Sequence, residues 1–342
     1  MTDEDNCFEF EDGLVANDYE PGSGLDGIVC FSGGKDSTAM LIRMLELDDP
    51  VNYPVNRVVF ADTTFEFQEL YDYIDFIDGW LQEHYPKCPR IEKVFSEKSW
   101  EDWFYGEITR GENKGRIRGH PLKRYPCWWS REAKIKPLQK AQQGFKWAYV
   151  GIAVDESHRV QKRDAKRKES LRVRYPLIEW NWTEADCMAY LDHLGLGNLL
   201  YSSFNRIGCY HCPKQPLHSW YEVWKHWPEF WKESLHWDAE SIRVRDNGQG
   251  LRDDMTLAEM EERFKNGFVP ENRDGLYDCK SCSAVSFHST GDLDLEDFDD
   301  DNAIERDVGY QGSRIHQDQA KQDSDEATWI PPSHETTNVE WL

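Results

Sequence analysis

The 342-residue chain is 39% hydrophobic and 13% aromatic, enough to fill one large core or a core with an appendage. Its formal charge of −24 sits at the ends: residues 1–26 contribute −9 and residues 289–342 contribute −12, leaving −3 for 27–288. No apolar run reaches membrane-spanning length and MTDEDNCFEF lacks the basic start of a secretory leader, which argues against a membrane-embedded or exported protein and for the cytoplasm.

Residues 1–26 read as an acidic, solvated tail. GIVCF (27–31) reads as a short buried strand and STAMLIRMLEL (37–47) as a helix. NRVVFAD (56–62) is a second strand. FQELYDYIDFIDGWLQ (67–82) is a helix that sets Leu70, Ile74, Ile77 and Leu81 on one face. RIEKVF (90–95) and KWAYVGIA (146–153) supply further strands. Strands alternating with helices at this spacing predict an α/β fold with a doubly wound, mainly parallel sheet over 27–180.

After residue 180 the pattern becomes helical. Thr183 with Asp186, and Thr256 with Glu259, have capping-box spacing. Trp220, Trp224, Trp227 and Trp231 form a stripe that reads as core, with Pro228 starting a second helix. Residues 181–288 are expected to form a helical, cysteine-bearing appendage, and 289–342 a disordered acidic tail.

The most informative stretch is SGGKDS (32–37), on the turn between the first strand and its helix. A helix N-terminus offers unpaired amides and a positive dipole end, a natural seat for phosphate. Gly33 and Gly34 let the backbone approach an anion, Lys35 adds a point charge, and Ser32 and Ser37 add hydroxyls. Asp36 follows the lysine where a Walker A loop needs Ser or Thr, so this is a different phosphate loop. Asp62 ends the second strand at the sheet's carboxyl edge, where it can meet ribose, adenine or a phosphate-bound Mg²⁺. Asp155, Glu156 and Arg159 follow a later strand at the same edge: the carboxylates suit a cation or hydroxyls, and Arg159 a phosphate or sulfate. Lys134 and Lys136 are further phosphate candidates.

Two basic runs, 110–136 (nine bases, two acids) and 158–174 (eight bases, two acids), read either as solvated faces or as an anion-binding wall for DNA or RNA. Cys209 and Cys212, and Cys279 and Cys282, form two Cys-x-x-Cys pairs of the kind that bind zinc or an iron–sulfur cluster. His211, His218 and His288 read as surface residues.

SGGKDS resembles the signature of the PP-loop ATP pyrophosphatase superfamily. FADTTFEFQELYDYI (60–74), CWWSREAKIKPL (127–138), YVGIAVDESHR (149–159), YPLIEWNWTEADCMAYL and RIGCYHCP (206–213) narrow the resemblance to its PAPS reductase-like branch. The resemblance implies an adenine nucleotide α-hydrolase-like fold. It adds Cys127 to the metal candidates, around a [4Fe–4S] cluster in preference to zinc.

The assimilatory reductases' Glu-Cys-Gly-His type ending is missing, and the closer likeness is to sulfur-handling relatives of DNA phosphorothioation and mobile elements. The implied reaction splits ATP into AMP and pyrophosphate and activates a substrate oxygen for sulfur transfer. Ser32, Gly33, Gly34, Lys35 and Ser37 would hold pyrophosphate, and Asp36 and Asp62 Mg²⁺ or the nucleoside. Arg159 would meet a second anionic partner, and a sulfur donor protein or thiol reductant would complete the system. Two readings remain beside it: a PAPS or APS reductase, and a non-catalytic nucleotide- or nucleic-acid-binding accessory protein. The oligomeric state is left open.

Overall fold

A computed structural model describes residues 26–111, 113–160 and 172–272. Both terminal tails, Cys279, Cys282, His288 and most of the second basic run lie outside them. Five strands form one sheet in the order β3-β2-β1-β4-β5, each pairing parallel. They are β1 (Gly27–Phe31), β2 (Arg57–Ala61), β3 (Ile91–Val94), β4 (Trp147–Val150) and β5 (Arg172–Arg174).

Strand periodicity splits the buried side chains between the two faces. Val29, Phe31, Val58, Phe60 and Tyr149 face the larger core, under α1 (Lys35–Leu47) and α2 (Gln68–His84). Ile28, Cys30, Val59, Ala61, Ala148 and Val150 face a smaller core closed by Leu138 and Ala141. That second cover is a helical run of α4 (Trp128–Ser130), a π-helical turn (Arg131–Ile135) and α5 (Lys136–Ala141). The doubly wound α/β expectation is met.

The strand expected over 146–153 stops at Val150, where the chain turns to cross the loop after β1. β5 was not anticipated, because its Arg-Val-Arg sits in a run that reads as solvated charge. Instead Arg174 lies over the rings of Tyr53, Trp147 and Tyr149 and pairs with Glu179, so the sheet edge shelters its charge.

Beyond the sheet come α6 (Pro176–Glu179), α7 (Glu184–His193), α8 (Leu217–His226), α9 (Pro228–Val244) and α10 (Leu257–Lys265), with α3 (Trp100–Phe104) earlier in the chain. Both expected capping boxes are formed, at Thr183–Asp186 and Thr256–Glu259. Pro228 opens α9, and Trp220 and Trp231 are buried in the same cluster as α1 and α2. The tryptophan stripe is therefore core, continuous with the sheet's larger face.

Candidate functional site

Strand order reverses between β1 and β4, so the loops leaving those strands flank a crevice at the sheet's carboxyl edge. The first holds Ser32–Ser37. Gly33 has φ 69°, and a Cβ there would lie 2.7 Å from Leu70 Cδ1, so only glycine fits the turn. The second begins at Gly151, where a Cβ would come within 2.8 Å of the Ser37 amide nitrogen. The two loops are in backbone contact.

Hydroxyls order the first loop. Ser37 Oγ accepts from the Ser32 amide at 3.1 Å, lies 2.9 Å from Ser32 Oγ and donates to Gly34 O at 3.1 Å. Asn198 Nδ2 donates to Gly33 O at 3.3 Å, and the Lys35 amide donates to Tyr201 Oη at 3.0 Å. No side chain caps α1 at Gly34.

The Lys35 side chain is 9% exposed, and its Nζ lies 3.1 Å from Glu184 and 3.5 Å from Asp36. Burial alone would lower its pKa, but Asp36, Tyr201 and Glu184 outweigh that and raise it, so the ammonium persists. Asp36 moves the other way, to about 7: burial raises it, Lys35 opposes, and Glu184 and Glu156 add repulsion. Among the described residues, Asp36, Glu156 and Glu184 form the one trio of ligand-bearing side chains whose donor atoms all lie within 4.8 Å of one another.

The other expected residues are distributed around this centre. Asp62 is buried and accepts from the Tyr71 hydroxyl at 2.6 Å and the Thr64 amide at 2.7 Å, outside the carboxylate trio. Asp155 accepts from the Glu184 amide at 3.3 Å, at the start of α7. Arg159 pairs with Glu156. Lys134 pairs with Glu66 at 3.2 Å and Lys136 with Glu132 at 2.7 Å.

The first basic run is extensively neutralised: Arg116 pairs with Asp246, Lys123 with Asp254, and Arg124 with Asp253. Glu184 and Tyr201 were not foreseen as site residues. Glu184 was hidden inside a helix-capping pattern, and nothing local marks Tyr201.

A second group of residues gathers around the loop after β2, which leaves the strand paired with β1 at the same edge of the sheet. Next to Asp62, Thr63 places its Oγ1 3.3 Å from Cys209 Sγ, and its carbonyl accepts from Trp129 Nε1 at 3.0 Å. Thr63 lines a cavity together with Cys127, Cys209, Cys212, His120, His211 and Trp100. Cys127 starts α4, its sulfur accepting from the Ser130 amide. The Cys209–Cys212 turn closes on itself through the Cys212 amide, which bonds Cys209 O at 3.1 Å.

His211 is 3% exposed, which corrects its reading as a surface residue; its ring packs 3.8 Å from that of Phe65 and 5.1 Å from that of Trp100. His120, 1% exposed, is clamped through its backbone: its amide donates to Ser241 Oγ and its carbonyl accepts from Arg245. Burial, with the Arg245 charge adding to it, pushes His120 down to about 3, although the Pro121 carbonyl opposes. Burial also drives His211 well below the usual histidine value. Nothing in the Gly-His-Pro sequence signals this placement.

Residues 27–215, more than half the chain, match the phosphoadenosine phosphosulfate reductase domain family. The chain belongs to that family. A protein of Methanocaldococcus jannaschii is 26% identical over 247 residues, covering 70% of this chain and 46% of that one. An adenosine 5'-phosphosulfate reductase of Bacillus mycoides is 29% identical over 174 residues, 49% of this chain and 67% of the relative. A 37.8 kDa protein of Escherichia phage 186 is 24% identical over 255 residues, 62% of this chain and 74% of that one. The chain spans less than half the length of the two archaeal relatives it matches. The phosphoadenylyl-sulfate reductase of Candida auris, solved as a phosphate complex, aligns with TM-score 0.32 at 18% identity over 54% of this chain and 81% of its own. Among the described residues no helix is long and apolar enough to cross a membrane.

Proposed function

We propose that this member of the PAPS reductase family binds ATP at the Ser32–Ser37 loop and cleaves it between the α- and β-phosphates to activate a substrate for sulfur transfer. The observation that carries this reading is the carboxylate trio beside Lys35. Three acids at the mouth of a phosphate loop repel a bare polyphosphate, whereas a metal–nucleotide complex turns the same acids into ligands. Asp36, Glu156 and Glu184 would hold Mg²⁺, which would supply positive charge to offset that of the departing pyrophosphate.

The chain's own groups perform the rest. Backbone amides at the start of α1 and the hydroxyls of Ser32 and Ser37 face the anion, and Lys35, held over the crevice by Glu184, meets pyrophosphate oxygens. A substrate oxygen attacks the α-phosphorus and the bond to the β-phosphate breaks, giving an adenylated substrate and pyrophosphate. A donor's persulfide sulfur then attacks the activated carbon and AMP leaves. A reductant thiolate attacks the donor sulfur of the resulting disulfide, leaving the outer sulfur on the substrate and a donor–reductant disulfide. Asp62, fixed by Tyr71 and Thr64, faces the nucleoside side of the crevice in this scheme. Arg159 and the basic runs face the acceptor, with DNA or RNA as candidates.

The thiol cavity fits a metal group by the chemistry of its donors: three cysteines and two buried imidazoles around one space. Cys127, Cys209 and Cys212 would hold a [4Fe–4S] cluster, or zinc, which supplies sulfur-binding or redox capacity next to the nucleotide.

A second reading, reduction of APS or PAPS, is favoured by the Bacillus mycoides relative's name. One assay separates them. Anaerobically purified protein is given ATP, Mg²⁺, a sulfide or persulfide donor and DNA or RNA, or else APS or PAPS with a thiol reductant. Release of AMP and pyrophosphate supports the first reading, release of sulfite the second. Nucleotide binding without either product leaves the accessory role.

A further inference from the structure

We infer that His120 is the fourth ligand of the metal group in the thiol cavity, binding through Nε2 and completing a three-thiolate, one-imidazole set with Cys127, Cys209 and Cys212. This rests on the reading that the cavity holds a metal group.

The cavity gathers three thiols, while zinc and a [4Fe–4S] cluster each take four protein ligands. His120 has the features of a preset ligand. Its Nδ1 lies 2.8 Å from Pro121 O, and since a carbonyl can only accept, Nδ1 carries the proton. The Nε2 lone pair is therefore fixed on the opposite side of the ring, where it is buried and has no hydrogen-bond partner. A carbonyl on one imidazole nitrogen with the metal on the other is the usual arrangement of ligating histidines.

Leaving such a lone pair empty carries the full desolvation penalty of a buried polar atom, so a partner in the cavity is expected on physical grounds. A second unpartnered polar atom on the same lining, Trp100 Nε1, adds a donor suited to sulfide or thiolate. His211 also carries an unpartnered buried nitrogen, Nδ1, and both rings pack on Trp100; the ring whose tautomer a carbonyl fixes is His120. The segment is also held rigidly in place. Arg245 donates to the carbonyls of Arg118 and His120, and Ser241 holds the His120 amide.

The test reads the metal's own ligand shell in the full-length protein, purified anaerobically, before any variant is made. Iron, sulfide and zinc are counted. A zinc protein is then examined by X-ray absorption, and an iron protein by pulsed electron paramagnetic resonance of its reduced state with ¹⁵N-histidine labelling. Three sulfurs and one nitrogen on zinc, or a ligand-strength histidine nitrogen coupling on the cluster, is the expected result.

Variants then extend the test. Cys279→Ser with Cys282→Ser should keep the metal stoichiometry. His120→Ala should lower metal retention at least about tenfold, and His120→Cys should restore it with an all-sulfur signature. An all-sulfur shell in the parent protein, or parent-like metal and spectrum in His120→Ala, overturns the assignment of His120 while leaving a metal in place. A parent protein that retains neither iron nor zinc overturns the metal reading itself.

Discussion

The Ser32–Ser37 loop, after β1, and the thiol cavity, lined by Thr63 after the neighbouring β2, are built on opposite principles. The phosphate loop is polar and half-open, made from one contiguous hexapeptide whose backbone does the work. The cavity is largely aromatic and thiol-lined, assembled from five separate stretches: Thr63, Trp100, His120–Pro121, Cys127–Lys134 and Cys209–Pro213. At the first, opposite charges crowd together until Asp36 titrates at about 7. At the second, burial keeps both histidines neutral, although Lys134 stands on the same lining. In the proposed reading, one centre receives an anion with its cation and the other holds a metal group.

Substitutions that separate the two centres test that contrast. Cys209→Ser with Cys212→Ser should reduce metal retention by well over about a hundredfold while ATP affinity changes less than about threefold. Loss of both together would mean the centres are one. Trp220→Ala should damage both, because Trp220 lies fully buried in the cluster that underlies α1 and α2; about 3–5 kcal/mol of stability should be lost in denaturant titration.

A pH series addresses the charged centre alone. In the folded chain Asp36 holds its proton to about pH 7, against 3.8 as its ordinary value. The native state binds the extra proton, so this group's stabilising contribution is complete below 3.8, declines between 3.8 and 7, and is gone above. The slope cannot exceed about 1.4 kcal/mol per pH unit for one proton, and Asp36→Asn should remove it. Mn²⁺, used as a probe for Mg²⁺, should bind more tightly as pH rises through about 7. The smallest effect is expected from Tyr201→Phe, which removes the hydroxyl beneath the Lys35 amide and should weaken ATP binding by less than about tenfold.

The contrast also explains how much the sequence disclosed. The Ser32–Ser37 turn was legible as a candidate phosphate site because six consecutive residues carry the pattern, and the parallel sheet because strand and helix periods alternate plainly. Cys127, Cys209 and Cys212 were legible as metal candidates, and they do line one cavity. Glu184 and Tyr201 reach the loop from far along the chain, and their neighbours speak only of a helix cap and a turn. His120 was invisible for the same reason: its burial depends on Trp100, Ser241 and Arg245, none of them adjacent in sequence. The first basic run shows a different limit of the sequence. Charge counts cannot show that Asp246, Asp253 and Asp254 fold back onto Arg116, Arg124 and Lys123.

The central claim is that the Ser32–Ser37 loop grips the phosphates of an adenine nucleotide with Lys35 as its one side-chain cation. Calorimetric titration of ATP with Mg²⁺ into the parent protein and into Lys35→Ala, both checked for native fold, tests it most directly. The account predicts saturable binding to the parent and a loss of affinity of about ten- to a hundredfold in the variant, the worth of a hydrogen bond to a charged group. Equal affinity in the two proteins would contradict it.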